Sequence, residues 1–596
     1  MNRIAVYVYY DANGIVQDHA WFCISKLLNF FDRTVVVVNG SLKEDQAEKL
    51  RNLGAEVVVR ENEGYDFWAY RAGIKHVGFS SLKDADELLL LNSSAYGPIF
   101  PIDNVFSEFE KRSDVDFWGL TKFHGKPFKD HIQSYFIVFK NKVIRSEIFE
   151  KYWEGLPPLR SRREAIDLGE TQLTAFFEKN GFRWDTLCHD FFDGIIDDPS
   201  FHAPWEVVEL KVPFIKRKIF CSDYGRYIDV AFSNWSLRIL EWLKNNSEFS
   251  PDLIVHDLIN TSNHTEAGRS MHRTFILSDA RQEGEHRKNV RVAAIIFVYF
   301  KDLIDENLAL VNSFPEDAEI FFVSSKSDVL EAYRNRVSGE RFHFRSQLNR
   351  GRNETAYFIT CRDVLSDFDY VCLIHDKKSV HISPQLIVSS FRKYLYECLA
   401  INRIYVNNII NLFEENPRLG MLYAPEPRFG SWKKIYPYAN KDNLRLSKEL
   451  YEKLKLEVPF DEDPSFPVGS MFWVRKNAMS AFFRHDWKIC DFPEEPLPKD
   501  GSLLHAMERM YPTFVQASGY ISGLVMPVST TRAYLDNMMY RLDKDPVDVG
   551  GIDLGKSAVN LASIEFDAQK ITSAVFKKIC KSYVKQKIRK YLHIRC

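Results

Sequence analysis

The nine cysteines of this 596-residue chain form no Cys-x-x-C pair and no regular spacing. Their number is odd, and Cys23, Cys372 and Cys398 sit inside apolar runs, so neither a zinc site nor a disulfide framework is expected. Buried thiols in a cytosolic protein are the simpler reading. Long apolar runs are also missing. The longest, Val290 to Phe300, contains Arg291 and falls far short of the roughly 20 residues a membrane span needs. The opening "MNRIAVYVYYDANG" reads as a short apolar strand rather than a signal segment. No G-x-G-x-x-G follows a first strand, which excludes the usual dinucleotide-dependent oxidoreductase. A net charge of −2 gives no ground for a nucleic-acid partner.

What is present is an ordinary folding composition, 45% hydrophobic and 27% charged, with a generous 14% of aromatics. Aromatics suit flat, polar ligands such as sugars and bases, although core packing accounts for them equally. The length predicts two to four domains. Strand signals then recur in two sets. "RIAVYVYY", "TVVVVNG", "AEVVVRENEGYDF" and "DELLLLNSSAYG" open the first half. "RVAAIIFVYF", "AEIFFVSS", "RFHFRSQLNRGRNE" and "DYVCLIHDKKS" open the second. Helical patterns separate the strands in both, which predicts an α/β fold with parallel sheets covered on both faces. Ligands on such sheets bind at the carboxyl ends of the strands, near the topological switch point.

A turn is repeated at one such strand end: Asn62-x-Gly64-x-Asp66 in the first half, Asn349-x-Gly351-Arg352-Asn353 in the second. Either glycine allows a positive φ or a close backbone approach to a ligand. Asp66 is placed either to cap the following helix or to accept hydrogen bonds from a ribose or base. The next strand of each half ends in a polar burst, Asn92-Ser93-Ser94 and His375-Asp376-Lys377-Lys378. This is where a nucleotide-sugar transferase of the GT-A type carries Asp-x-Asp to hold a divalent metal. Neither half has that motif, so no cofactor is assigned and Mg²⁺ or Mn²⁺ is left open. Lysines can neutralise a diphosphate without a metal.

Displacement at a sugar's anomeric carbon needs a base, usually a carboxylate. The candidates are Asp167 and Glu170 in the first half, and Glu494, Glu495 and Asp500 in the second. Acids near helix starts are also ordinary capping. Acceptor-side candidates are His131 and Gln133 in "DHIQSYFIVFK", Trp473 in "FPVGSMFWVRKNAM", and His505 with Glu508 on a predicted helix.

Taken in order, "RENEGYDFWAYRAGI", "DFWGLT", "HIQSYFIVFK", "NRGRN", "HDKKS", "GSMFWVRKNAM" and "EEPLPKDGSLLHAMERM" resemble the rhamnan synthesis protein F family of bacterial glycosyltransferases. The resemblance runs from about residue 3 to about residue 545. It implies two GT-A-like (nucleotide-sugar, Rossmann-like) domains. It also implies inverting transfer of L-rhamnose from dTDP-β-L-rhamnose to a polyprenyl-diphosphate-linked glycan, at the inner face of the cytoplasmic membrane. Where the family carries an acid after its second Asn-Arg-Gly-Arg, this chain has Asn353 followed by Glu354. Where the family's first polar strand end carries an acid, this chain has Ser93. These departures leave open metal use, sugar identity and whether one half is a spent copy.

The expected layout is a first glycosyltransferase domain over 1–200, a helical connector over 201–288, a second glycosyltransferase domain over 289–545 and a helical tail over 546–596. From Lys570 to Cys596 there are nine Lys and Arg and no acid, with apolar residues at helical spacing. That pattern predicts a basic amphipathic helix lying on an anionic membrane surface. The competing reading is a non-enzymatic scaffold of polysaccharide assembly that grips sugars through Trp68, Trp118 and Trp473. The acids kept at comparable places in both halves weigh against it.

Overall fold

A computed structural model of the chain describes residues 1–124, 129–188, 198–221, 234–283, 290–376, 378, 385–429 and 435–544. The chain divides into Met1–Ser529, which holds both main sheets, and Thr530–Cys596, whose described part is helical. The expected basic tail lies outside the described residues.

The first half supplies β1 (Arg3–Tyr10), β2 (Arg33–Asn39), β3 (Glu56–Arg60), β4 (Glu87–Asn92), β5 (Ala95–Tyr96), β6 (Phe117–Gly119), β7 (Lys122–Phe123), β8 (His131–Ile132), β9 (Phe136–Lys140) and β10 (Trp184–Thr186). Seven of these form one sheet in the order β3-β2-β1-β4-β9-β6-β10. All neighbours run parallel except β9, which is antiparallel to β4 and β6. β7 and β8 make a small hairpin beside it.

The alternation of the pleat explains the unbroken apolar strands. Ile4, Val6 and Val8 of β1 enter one core with Val35, Val37, Leu88 and Leu90. Ala5, Tyr7 and Tyr9 enter the core on the opposite face with Val36, Val38, Leu89 and Leu91. A sheet buried on both faces needs apolar residues at every position.

Between the halves, the stretch expected as a helical connector contains helices Trp235–Asn246, Pro251–Thr261 and His264–Ser270. It also contributes two strands. β11 (Ile215–Lys216) folds back to pair antiparallel with β5, and β12 (Thr274–Leu277) joins the edge of the second sheet. Residues 222–233 and 284–289 of that stretch lie outside the described residues.

The second half supplies β13 (Val292–Phe297), β14 (Glu319–Ser324), β15 (Phe342–Ser346), β16 (Tyr370–His375), β17 (Leu419–Tyr423), β18 (Phe472–Arg475) and β19 (Ile521–Pro527). Its sheet runs β15-β14-β13-β16-β18-β17-β19-β12. Strand for strand this repeats the first sheet, with β18 as the antiparallel member and β12 as an added edge. Successive strands move outward from β1 to β3, and the chain then returns to the other side of β1 as β4. The carboxyl ends of β1 and β4 therefore form a topological switch point, and β13 and β16 form its counterpart.

Candidate active site

The repeated turn has one backbone in both halves. Gly64 (φ 67°, ψ 13°) and Gly351 (φ 71°, ψ 10°) are left-handed N-caps of the helices that begin at Tyr65 and Arg352. The next residue is also at positive φ in each case, Tyr65 at 51° and Arg352 at 49°. A Cβ on Gly64 would stand 2.2 Å from Trp68 Cγ, and one on Gly351 would stand 2.4 Å from Thr355 Cγ2. Both glycines are thus required by handedness and by the residue four positions on. Asn62 and Asn349 are exposed, and Asn349 Oδ1 accepts from Ser325 Oγ.

In the first half the turn opens onto a polar cluster at the switch point. Gly64 caps the helix without a side-chain hydrogen bond, so Asp66 is free for another role: its Oδ2 accepts from Asn92 Nδ2 at 2.9 Å. Asn92 Oδ1 accepts from the Ser94 hydroxyl at 2.5 Å, and Lys216 Nζ donates to Ser94 Oγ at 2.9 Å. A directed chain therefore runs from Lys216 through Ser94 and Asn92 to Asp66. Lys216 arrives on β11, and its ammonium lies 4.3 Å from the centre of the Tyr135 ring. Burial pushes Asp66 up to about 6, with Lys216 pulling against that and Glu170 adding to it. Burial lowers Lys216 to about 8, opposed chiefly by Glu170. Ser93 is buried, and its amide donates to Val8 in β1.

Glu170 faces this cluster from a π-helical turn, Ala165–Glu170, a geometry often found at functional sites. Its Oε2 accepts from Ser134 Oγ at 2.5 Å, and its Oε1 is 3.8 Å from His131 Nε2. Burial alone would raise the Glu170 carboxyl. The contacts from His131 and Ser134 and the Lys216 ammonium outweigh that and hold it below the ordinary glutamate value. The side chain is 25% exposed, so an incoming molecule can reach it. His131 Nδ1 is bonded to the Lys129 carbonyl. Gln133 accepts from Thr121 and donates to Asp198, which also pairs with Lys218 at 2.6 Å. Asp167 instead pairs with Arg163 one turn away.

The second half keeps the frame and changes the partners. Arg350 binds Glu494 at 2.8 Å, and Arg352 binds Glu495 at 2.7 Å. The Arg350 guanidinium also donates to the carbonyls of Cys490 and Phe492. Two of the predicted bases are thus engaged in tying the 490–495 segment over the turn. Asp500 accepts from Asn443 at 2.8 Å and lies 3.6 Å from Arg509. Asp376 is buried and raised to about 6, and its Oδ2 accepts the amides of Tyr299 and Phe300. His375 Nε2 is bonded to the Gly469 carbonyl. Lys378 pairs with Asp302, while Lys377 lies outside the described residues.

Asn353 and Glu354 are both buried. Burial, with Glu508 adding, raises Glu354 to about 7 against hydrogen bonds from its surroundings. Glu508 accepts the Gly469 amide at 2.6 Å. The His505 ring is 2.7 Å from Ser502 Oγ at the start of the helix Leu503–Ala517. Trp473 is fully enclosed, and its indole donates to the Leu399 carbonyl, so it presents no face to a ligand. Trp118 is equally enclosed.

The structure brings the donor-side candidates Asp66, Asn92 and Ser94 near the base candidate Glu170, and adds Lys216, Ser134 and Tyr135, which the sequence did not single out. The available signal for Lys216 was the short strand-like "PFIKRKIF" with its clustered cations. A cavity of about 480 Å³ opens beside this corner rather than on it, where Tyr9, Asp11, Arg217, Asn260, Tyr451 and Pro459 meet. Among the described residues no three His, Cys, Asp or Glu side chains are grouped to hold a metal ion. At the Asp-x-Asp position stand an amide and two hydroxyls, one already bonded to an ammonium. That donor set does not fit a divalent cation.

The sequence profile of the family described as rhamnan synthesis protein F matches residues 34–520, most of the chain. The chain belongs to this family. Beyond the family match, the protein y4gN of Sinorhizobium fredii, uncharacterised by its own description, is 30% identical over 188 residues, 31% of this chain and 48% of that protein. The Xanthomonas campestris pv. campestris protein WxcX, likewise described as uncharacterised, is 26% identical over 231 residues, 38% of this chain and 31% of that protein. The chain thus spans about half or less of the length of these curated relatives. Among solved structures, the glycosyltransferase GlyE of Streptococcus pneumoniae TIGR4 aligns over 66% of this chain and 91% of its own at 11% identity, with a TM-score of only 0.23. Among the described residues no helix is long and apolar enough to cross a membrane.

Proposed function

We propose that this member of the rhamnan synthesis protein F family is an inverting glycosyltransferase whose transfer chemistry takes place in the first half. The observation that carries the reading is Glu170. It is a carboxylate held in its ionised form yet reachable, facing the Asp66–Asn92–Ser94 corner at the switch point. In this reading an acceptor hydroxyl loses its proton to Glu170 as its oxygen attacks the anomeric carbon. The bond from that carbon to the donor diphosphate breaks, and the diphosphate leaves with the electron pair. A single displacement inverts the configuration.

Family membership supports L-rhamnose as the sugar and dTDP-β-L-rhamnose as its donor. A polyprenyl-diphosphate-linked glycan is the proposed acceptor. The basic stretch Lys570–Cys596 supports a peripheral position on the anionic inner face of the cytoplasmic membrane. The Arg350–Glu494 and Arg352–Glu495 pairs favour a second half that grips glycan or supports the first, rather than a second equivalent site.

The test incubates the full chain with labelled dTDP-rhamnose and a lipid-linked acceptor, comparing wild type with Glu170→Gln. Transfer by wild type that collapses in the variant is expected. No turnover of any of several nucleotide sugars would overturn the enzymatic reading.

A further inference from the structure

We infer that Lys216, brought in on β11 from the stretch between the two halves, is the built-in cation that receives the donor diphosphate in the first site. The inference rests on the glycosyltransferase reading and goes beyond it by assigning the charge that the leaving group needs.

Departure of a nucleoside diphosphate concentrates negative charge on its phosphate oxygens, and a site for that reaction must place positive charge where the charge develops. The end of β4 is the corresponding place on this sheet, and it carries no carboxylate pair to recruit a metal. It carries Ser94 instead, with Lys216 Nζ 2.9 Å from its hydroxyl. The position is built rather than accidental. The β11–β5 pairing fixes the lysine backbone, with Lys216 opposite Ala95 and Ile215 opposite Tyr96. The Arg217 amide donates to the Ser94 carbonyl, closing the other side of the strand end. Ile215 is buried in a core with Tyr96 and Ile219, so the strand cannot drift. The ammonium lies over the Tyr135 ring, which favours a cation and shields it from water.

Asp66 and Glu170 face Lys216 from the two helical elements, and Asp198 and Lys218 face it from its own side. Among the described residues none of the three carboxylates closes an ion pair with Nζ, whose hydrogen bond goes to the neutral Ser94. The ammonium keeps two further N–H donors for an anion. Lys216 itself is only half-buried.

The test measures binding of dTDP and of thymidine to the full chain in EDTA, by calorimetry, for wild type, Lys216→Gln and Lys216→Arg. Thermal melts establish that each variant is folded. Wild type is expected to prefer dTDP to thymidine. Lys216→Gln is expected to weaken dTDP by about tenfold or more while leaving thymidine within about twofold, since only the charge-assisted contact is lost. Lys216→Arg should retain most of the preference. A merely structural lysine would change both ligands together or neither, and either result overturns the assignment. So does dTDP binding that requires added Mg²⁺ or Mn²⁺ and is equal in wild type and Lys216→Gln. If wild type binds none of dTDP, UDP and GDP, the glycosyltransferase reading itself falls, and this assignment falls with it.

Discussion

Gly64 and Gly351 hold nearly identical backbones, and the helices behind them share an Ala-Tyr pair at Ala69–Tyr70 and Ala356–Tyr357, yet the two corners meet different surroundings. In the first, Asp66 looks across to Asn92, Ser94 and the Lys216 ammonium. In the second, Asn353 stands in its place, and Arg350 and Arg352 turn away to Glu494 and Glu495. The residue after Asp66, Phe67, packs in the core, whereas its counterpart Glu354 buries a carboxyl there. The sheet and its two-glycine geometry preserve the turn, because a Cβ at either position would collide with a neighbour. What the turn meets is set by segments far away in sequence, and those have diverged. A duplicated frame therefore does not imply a duplicated site.

The largest expected difference lies in the two helix acids. Glu170→Gln should lower transfer by about 10²–10⁴-fold, the usual contribution of a positioned base. Glu508→Gln should cost less than about tenfold, because Glu508 is bonded to the Gly469 amide. Equal losses in steady-state rates would mean that both halves perform the chemistry.

Next in size is the buried carboxyl peculiar to the second corner. Glu354 is raised from 4.5 to about 7, so its neutral form suits the fold. The associated stability is fully present below about 4.5 and is lost as pH rises through about 7, a change of about 3 kcal/mol. Glu354→Gln should therefore melt higher than wild type at pH 8, and close to it at pH 5. A gap independent of pH would show that Glu354 is not held neutral.

A smaller effect belongs to the first corner. Lys216 titrates at about 8 with Asp66, Glu170, Asp198 and Lys218 around it. Its charged form is the one that binds a diphosphate, so dTDP affinity should fall as pH rises through about 8. The terminal phosphate, with a second pKa of about 6, no longer titrates in that range. Lys216→Gln should flatten the profile. The smallest effect is a double-mutant cycle on Arg350 and Glu494, whose partly exposed pair should couple by about 0–1 kcal/mol in stability.

Much of the frame was legible in the residues because it is local. Continuous apolar strands, helical spacing between them and the Asn-x-Gly turns gave both sheets and the strand-end corner at the switch point. Asp66, Asn92 and Ser94 followed from lying at strand ends. The remainder depended on long-range folding. Lys216 sits in a stretch that reads as connector, and nothing near it announces that β11 returns to β5 some 120 residues earlier. Glu494 and Glu495 read as acids near a helix start, because their arginine partners lie more than 140 residues away. Trp473 read as a sugar platform, but β18 is an interior strand covered on both faces, so a large aromatic there is enclosed.

The most direct test of the proposed asymmetry is the stoichiometry of donor-nucleotide binding to the full chain. Titration with dTDP should give one site per chain, abolished by Asp66→Ala and retained in Asn353→Ala. Two sites per chain, or one site that survives Asp66→Ala and disappears in Asn353→Ala, would contradict it.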